Sequence, residues 1–171
     1  LMSVLNEAVD IDYRPTVIRY SKDPMPDDIC VVASHDGLDV LRDGPEDGIL
    51  LVAHGQLCAQ ALAAVDQLDA PVRVVSPRWS LPVCEGLIEE AANARAVVSV
   101  EDGLVVSGLG SHLADALSER GVWRPIRNLG IPQRYLDHDS RSAIMAELGL
   151  DARGIADAVS QLVTQFGSAS S

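Results

Sequence analysis

Four groups of residues in this chain have types and spacings that bear on chemistry. The first is VEDGLVVSGLGS (100–111), where the acids Glu101 and Asp102 precede Gly103, Gly108, Gly110 and Ser111. A Gly-Leu-Gly-Ser loop at a helix start can cradle a phosphate on backbone N–H groups. This loop lacks the Walker lysine and the G-x-G-x-x-G spacing, and the acids upstream repel an anion, so tight loop geometry is the better reading. Glu101 and Asp102 have the types of an acid/base pair, but neighbours on an extended segment point to opposite sides. A hydrogen-bonded turn or an interface carboxylate fits them better. The second group is His54 in VAHGQLC, at a predicted strand end; its partners are not legible, and a locally bonded histidine is favoured over a catalytic one. The third is Asp137, His138 and Asp139, which are consecutive and so diverge; they suit a helix start better than a metal. The fourth is the cation pair Arg19 and Lys22, at a strand end beside a linker. They could hold an anionic group or simply edge the surface. No serine is framed as G-x-S-x-G.

These residues need elements to hold them. Residues 96–100 are apolar and β-branched, as a strand buried on both faces requires. Leu113, Ala116 and Leu117 mark the helix after the glycine loop, and Ser111 is its expected N-cap. Ligands and partners meet open α/β sheets at such strand ends. Around this unit strands are predicted at 48–53, 72–76 and 125–129. Helices are predicted at 57–68, with Ala61, Leu62, Val65 and Leu68 inward, and at 83–93, with Leu87, Ile88 and Ala91 inward. His35-Asp36-Gly37 reads as a hairpin turn, and TVIRY (16–20) as a strand. A helix at 141–148 has Ser140 in front and Gly149 behind, and a last helix carries Ile155, Val159, Leu162, Val163 and Phe166 on one stripe. Strands alternating with helices imply a three-layer α/β/α domain with a mainly parallel sheet.

Composition narrows the function classes. Hydrophobic residues make up 47% of the 171, enough for one sizeable core without staples. Thirteen basic residues against 25 acidic ones give a formal charge of -12, which argues against nucleic acid and anionic membrane partners. No apolar run approaches the ~20 residues of a membrane span. Cys30, Cys58 and Cys84 are widely spaced and read as small buried hydrophobes in a reducing compartment, so a cytoplasmic location is expected. The chain opens on Leu1 with Val4, Leu5, Ala8 and Val9 already at helical spacing. A helix with no start signal leads us to expect a piece of a longer protein. SKDPMPDD (21–28) reads as a linker.

The order of short motifs resembles the C-terminal region of the 1-deoxy-D-xylulose-5-phosphate synthase family, transketolase-like thiamine diphosphate enzymes. PTVIRYSK (15–22), SPRWSLP (76–82), VEDGLVVSGLGS (100–111), LGIPQRYLDH (129–138) and MAELGLDARGI (145–155) carry the resemblance. It implies a transketolase C-terminal-like domain at 29–166, preceded at 1–28 by the end of a pyrimidine-binding domain; the small, polar tail at 167–171 reads as disordered from its composition. It implies condensation of pyruvate with glyceraldehyde 3-phosphate with loss of carbon dioxide, in a homodimer. Thiamine diphosphate and magnesium would be bound outside this sequence, so no catalytic, cofactor or metal residue is expected within it. In the family's R-Y-P-R-G motif the second basic residue binds the acceptor phosphate. Lys22 falls there and Arg19 at the first. Ser21 and Asp23 replace the usual proline and glycine, and Gly103 and Ser107 the usual asparagine and glycine. A stand-alone association module, or the C-terminal domain of another transketolase or 2-oxo-acid dehydrogenase β-subunit, is the alternative.

Overall fold

The computed structural model describes residues 2–19 and 28–166. In chain order its elements are α1 (Met2–Asp10), β1 (Ala33–His35), β2 (Leu38–Arg42), β3 (Ile49–Ala53), α2 (Leu57–Val65) and β4 (Val72–Pro77). There follow α3 (Glu85–Asn93), β5 (Ala96–Leu104), α4 (Leu109–Glu119), β6 (Ile126–Ile131), α5 (Arg141–Glu147) and α6 (Ala152–Phe166). The strands form one sheet in the order β1-β2-β4-β3-β5-β6. β3 pairs in parallel with β4 and β5, and β5 with β6, while the β1–β2 and β2–β4 pairings are antiparallel. The expected α/β/α domain is thus present, with a hairpin added at one edge.

Strand alternation sorts the core into two halves. Ile49, Leu51 and Ala53 of β3, with Val98 and Val100 of β5, face Leu57, Ala61 and Val65 of α2, Met145 of α5 and Ile155 and Val159 of α6. Leu50, Val52 and Val97 turn the other way, onto Leu87 and Ala91 of α3 and Leu109, Leu113 and Leu117 of α4. β3 is buried at every residue because helices cover both faces. Each fully buried Leu or Ile contributes roughly 2 kcal/mol of transfer free energy. The α6 stripe behaves as its periodicity predicts: Ile155, Val159 and Leu162 are buried, and Val163 and Phe166 pack at its margin.

The hairpin follows from its turn. Asp36 and Gly37 have φ of 45° and 80°, and His35 pairs with Leu38 across a two-residue loop of the kind whose twist matches its strands.

Two expectations need correction. Of the strand expected at 16–20, the described residues 16–19 lie in no strand: β-branched composition favours extension, but a strand needs a partner, and none of the described residues pairs with them. Tyr20, the linker at 21–27 and the tail at 167–171 lie outside the described residues. Of the cysteines, Cys58 is buried, but Cys84 is half-buried and Cys30 is exposed, because Cys30 precedes the edge hairpin rather than a covered strand. Among the described residues no helix is long and apolar enough to cross a membrane.

Candidate functional site

β5 continues past its buried run to Leu104 and carries both acids out of the core. Glu101 turns toward α4, where its carboxylate accepts from the N–H of Leu109 at 3.1 Å and of Gly110 at 3.4 Å. These donors are left over in the helix's first turn, and a negative charge there is favoured by the helix dipole. Gly108 occupies the N-cap position without a capping side chain, and a Cβ on it would run into the Glu101 carboxylate. Ser111 is therefore not the N-cap. It lies inside the first turn and donates its hydroxyl to the Val105 carbonyl at 3.0 Å. Two of the N–H groups that a phosphate would need are taken by Glu101, which agrees with reading the loop as tight geometry. Gly110 is needed for close approach, because a Cβ there would overlap Ser99 Oγ and Asn128 Oδ1. Ser99 is fully buried and donates to Asn128 at 2.8 Å, tying β5 to β6 beneath α4.

Asp102 turns the opposite way. Arg141, the first residue of α5, donates from Nη2 to Asp102 Oδ2 at 2.9 Å and to Gln56 Oε1 at 3.4 Å. Arg19 donates from Nη1 to the Asp102 carbonyl at 2.6 Å, and its Nη2 stands 3.8 Å from Oδ1. Oδ1 is itself buried and accepts no hydrogen bond among the described residues. The carboxylate is sheltered, at 21% exposure, while the Arg19 side chain is 69% exposed. Lys22 lies outside the described residues.

At the end of β3, His54 Nδ1 lies 3.2 Å from the Pro77 carbonyl and Nε2 lies 2.7 Å from Ser80 Oγ. A carbonyl can only accept, so Nδ1 carries the proton and the Ser80 hydroxyl donates to Nε2. Burial pushes the His54 pKa below its ordinary value, against the opposing pull of the Pro77 bond. Both ring nitrogens are thus used within the fold, as a locally bonded histidine requires. Cys58 is beside it, its Sγ 3.4 Å from Ser76 Oγ, and burial pushes its thiol pKa up, which keeps it unreactive. With Val4, Asp39 and Arg78 they line a groove of about 290 Å³. α1 lies against this groove, held by Glu7, which accepts from Arg78 at 2.8 Å and from Trp79 at 3.0 Å.

Asp137, His138 and Asp139 are all exposed. Asp139 accepts from the N–H of Ser140 at 2.6 Å, and Ser140 caps α5 by accepting from Ala143 at 3.2 Å. Among the described residues no group of three or more His, Cys, Asp or Glu is gathered to hold a metal ion.

The sequence pattern of "Transketolase, C-terminal domain" matches residues 38–155, which takes in the sheet from β2 onward and both acids of β5. This chain belongs to the transketolase C-terminal domain family. The 1-deoxy-D-xylulose-5-phosphate synthase of Cutibacterium acnes is 90% identical over 166 residues, covering 97% of this chain and 26% of that protein. 1-Deoxy-D-xylulose-5-phosphate synthase 2 of Streptomyces avermitilis is 43% identical over 167 residues, with 95% and 26% covered. The chain spans about a quarter of the length of these relatives, 26% in each. Among solved structures, one described as "Split gene transketolase, inactive beta4 tetramer" superposes with a TM-score of 0.79 at 28% identity, over 95% of this chain and 53% of that one. Transketolase from Leishmania mexicana superposes at 0.52 with 18% identity, over 80% of this chain and 19% of that one, a likeness of fold alone.

The structure joins Arg19, from the segment before the transketolase C-terminal domain, to Asp102 within it, and adds Arg141, which the sequence did not mark as part of a site. Arg141 is 39 positions from Asp102, and its only local signal is a basic residue at a helix start. That placement is unfavourable to the dipole unless an acid is near.

Proposed function

We propose that this chain is the C-terminal part of a 1-deoxy-D-xylulose-5-phosphate synthase, which condenses pyruvate with glyceraldehyde 3-phosphate and releases carbon dioxide. The 90% identity over 166 residues to the Cutibacterium acnes synthase carries the reading. Residues 29–166 would be its third domain, and 1–28 the end of the pyrimidine-binding domain with its linker. Thiamine diphosphate with Mg2+, held by segments outside this sequence, would activate the 2-oxo acid for loss of carbon dioxide. This chain's own part is to position the acceptor: Lys22, with Arg19 nearby, neutralises the phosphate. A lysine does so as a point charge, without the bidentate fork of arginine. The whole protein is then a cytoplasmic homodimer.

The test uses the natural protein that carries this chain. Carbon dioxide release from labelled pyruvate should rise when glyceraldehyde 3-phosphate is added, with 1-deoxyxylulose 5-phosphate as product. Absence of both overturns the proposal. Lys22→Ala should raise KM for glyceraldehyde 3-phosphate about tenfold with kcat nearly kept, as expected when a charged contact to substrate is lost.

A second reading, an association module without catalysis, is favoured by the neighbour described as an inactive tetramer at 28% identity. Both readings expect a stable oligomer in sedimentation, so the turnover assay on the same natural protein separates them: a stable oligomer without turnover supports the module.

A further inference from the structure

We infer that α1 is a movable cover over the groove that holds His54 and Cys58. Glu7 latches it onto Arg78 and Trp79, and Asp39 is the acid that takes Arg78 when the cover lifts. The inference does not depend on the synthase reading above.

One face of α1 makes the contacts. Glu7 and Ala8 follow Val4 by three and four positions, so the three share a face. Val4 lines the groove, Glu7 reaches the end of β4, and Ala8 is buried, whereas Val9 is 83% exposed. A nine-residue helix gains little from its own hydrogen bonds, so what it rests on matters. Glu7 gives one carboxylate oxygen to each donor: Oε1 accepts from Arg78 Nη1 at 2.8 Å and Oε2 from Trp79 Nε1 at 3.0 Å. The Trp79 bond chiefly, with Arg78 adding to it, holds the Glu7 carboxyl below its ordinary pKa against the opposing effect of desolvation. The latch is therefore charged at neutral pH. Such ties are weak where solvent and salt reach them, and here the Glu7 and Arg78 side chains are 39% and 37% exposed.

Opening leaves little unpaired. Arg78 Nη2 already stands 3.9 Å from Asp39 Oδ1, which also accepts from Ser34 at 2.6 Å. A small turn of the guanidinium moves it from one acid to the other. The Arg78 N–H is fixed to the Gly37 carbonyl at 2.9 Å, so the side chain swings from a backbone that stays in place. Glu7 and the Trp79 N–H pass to water. A contact with two such arrangements is what a movable cover needs. Beneath it Cys58 is 5% exposed and lines the groove, so its thiol reports whether the cover is open.

The experiment is alkylation of the natural protein by N-ethylmaleimide, with the rate at each cysteine read by peptide mass spectrometry. Exposed Cys30 gives the reference rate, and half-buried Cys84, which packs in the opposite half of the core, reports general loosening. In the wild type Cys58 should react far more slowly than Cys30. Glu7→Gln, which removes the charge, should speed Cys58 about two- to fivefold, as the loss of one exposed ion pair allows, and Glu7→Lys about tenfold. Added salt should speed Cys58 relative to Cys30 in the wild type and much less in Glu7→Gln. Amide exchange of α1 should rise in step with Cys58 labelling. Glu7→Gln carries the test alone if Glu7→Lys does not fold. Cys58 rates that match the wild type in the variants, or a parallel rise at Cys84, overturn the inference.

Discussion

Glu101 and Asp102 are adjacent on one strand and chemically alike, yet they serve opposite sides of the molecule. Glu101 turns inward to the α4 seam, where it meets backbone N–H groups and closes a helix end. Asp102 turns outward and meets guanidiniums, one from a segment 83 positions away and one from α5. The first set of partners is part of the fold whatever the ligand. The second consists of two arginines that reach one acid from distant parts of the chain. The comparison shows that a carboxylate's role is set by which donors surround it, and those are reached through space.

The largest effect should come from the seam. Gly110→Ala forces a methyl group against the buried Ser99–Asn128 pair, and such overpacking should cost about 3 kcal/mol. Denaturant unfolding checks this, and an unchanged midpoint would mean that α4 can lift from the sheet without penalty. Next is Glu101→Ala, which strips a cap from α4 and should cost roughly 1–2 kcal/mol. Asp102→Ala, in a partly solvated ion pair, should cost less than about 1 kcal/mol after solvent screening. Unfolding midpoints that reverse this order would break the comparison between the two acids.

His54 supplies the smallest expected change. Its pKa is lowered in the folded state, first by burial, so the unfolded chain binds its proton more readily. The stability it contributes is fully present above the ordinary histidine value of about 6.5 and drains away as pH falls through the window below it. Cys58, Asp39 and Arg78 share its groove. Unfolding midpoints between neutral pH and pH 5 should fall less steeply in His54→Gln than in the wild type. Parallel slopes would show that another group governs this range.

Much of the architecture was legible because periodicity is a local property. The alternation of apolar runs at 48–53, 72–76 and 96–100 with amphipathic stretches is enough to specify strands, helices and a layered sheet. Asp36-Gly37 and Ser140 announce their turn and cap within a few residues of where they act. The order of short motifs announces the family. The surroundings of Asp102 were legible only in part: Arg19 was marked with Lys22 as a cation pair and by its motif, whereas Arg141 had only its place at a helix start, and Lys22 lies outside the described residues.

The sequence by itself determined the element types, the two-faced core and the resemblance, since each depends on neighbours along the chain. The tertiary structure decided the rest. It made Glu101 and not Ser111 the cap of α4, left residues 16–19 without a strand partner, and placed Gly110 over Ser99 and Asn128. It also brought Arg19 and Arg141 to the same carboxylate. In each case the deciding quantity is a distance between groups far apart in the chain. Hydrogen bonds and ion pairs fall off within a few ångströms, so no local pattern can report which partner arrives.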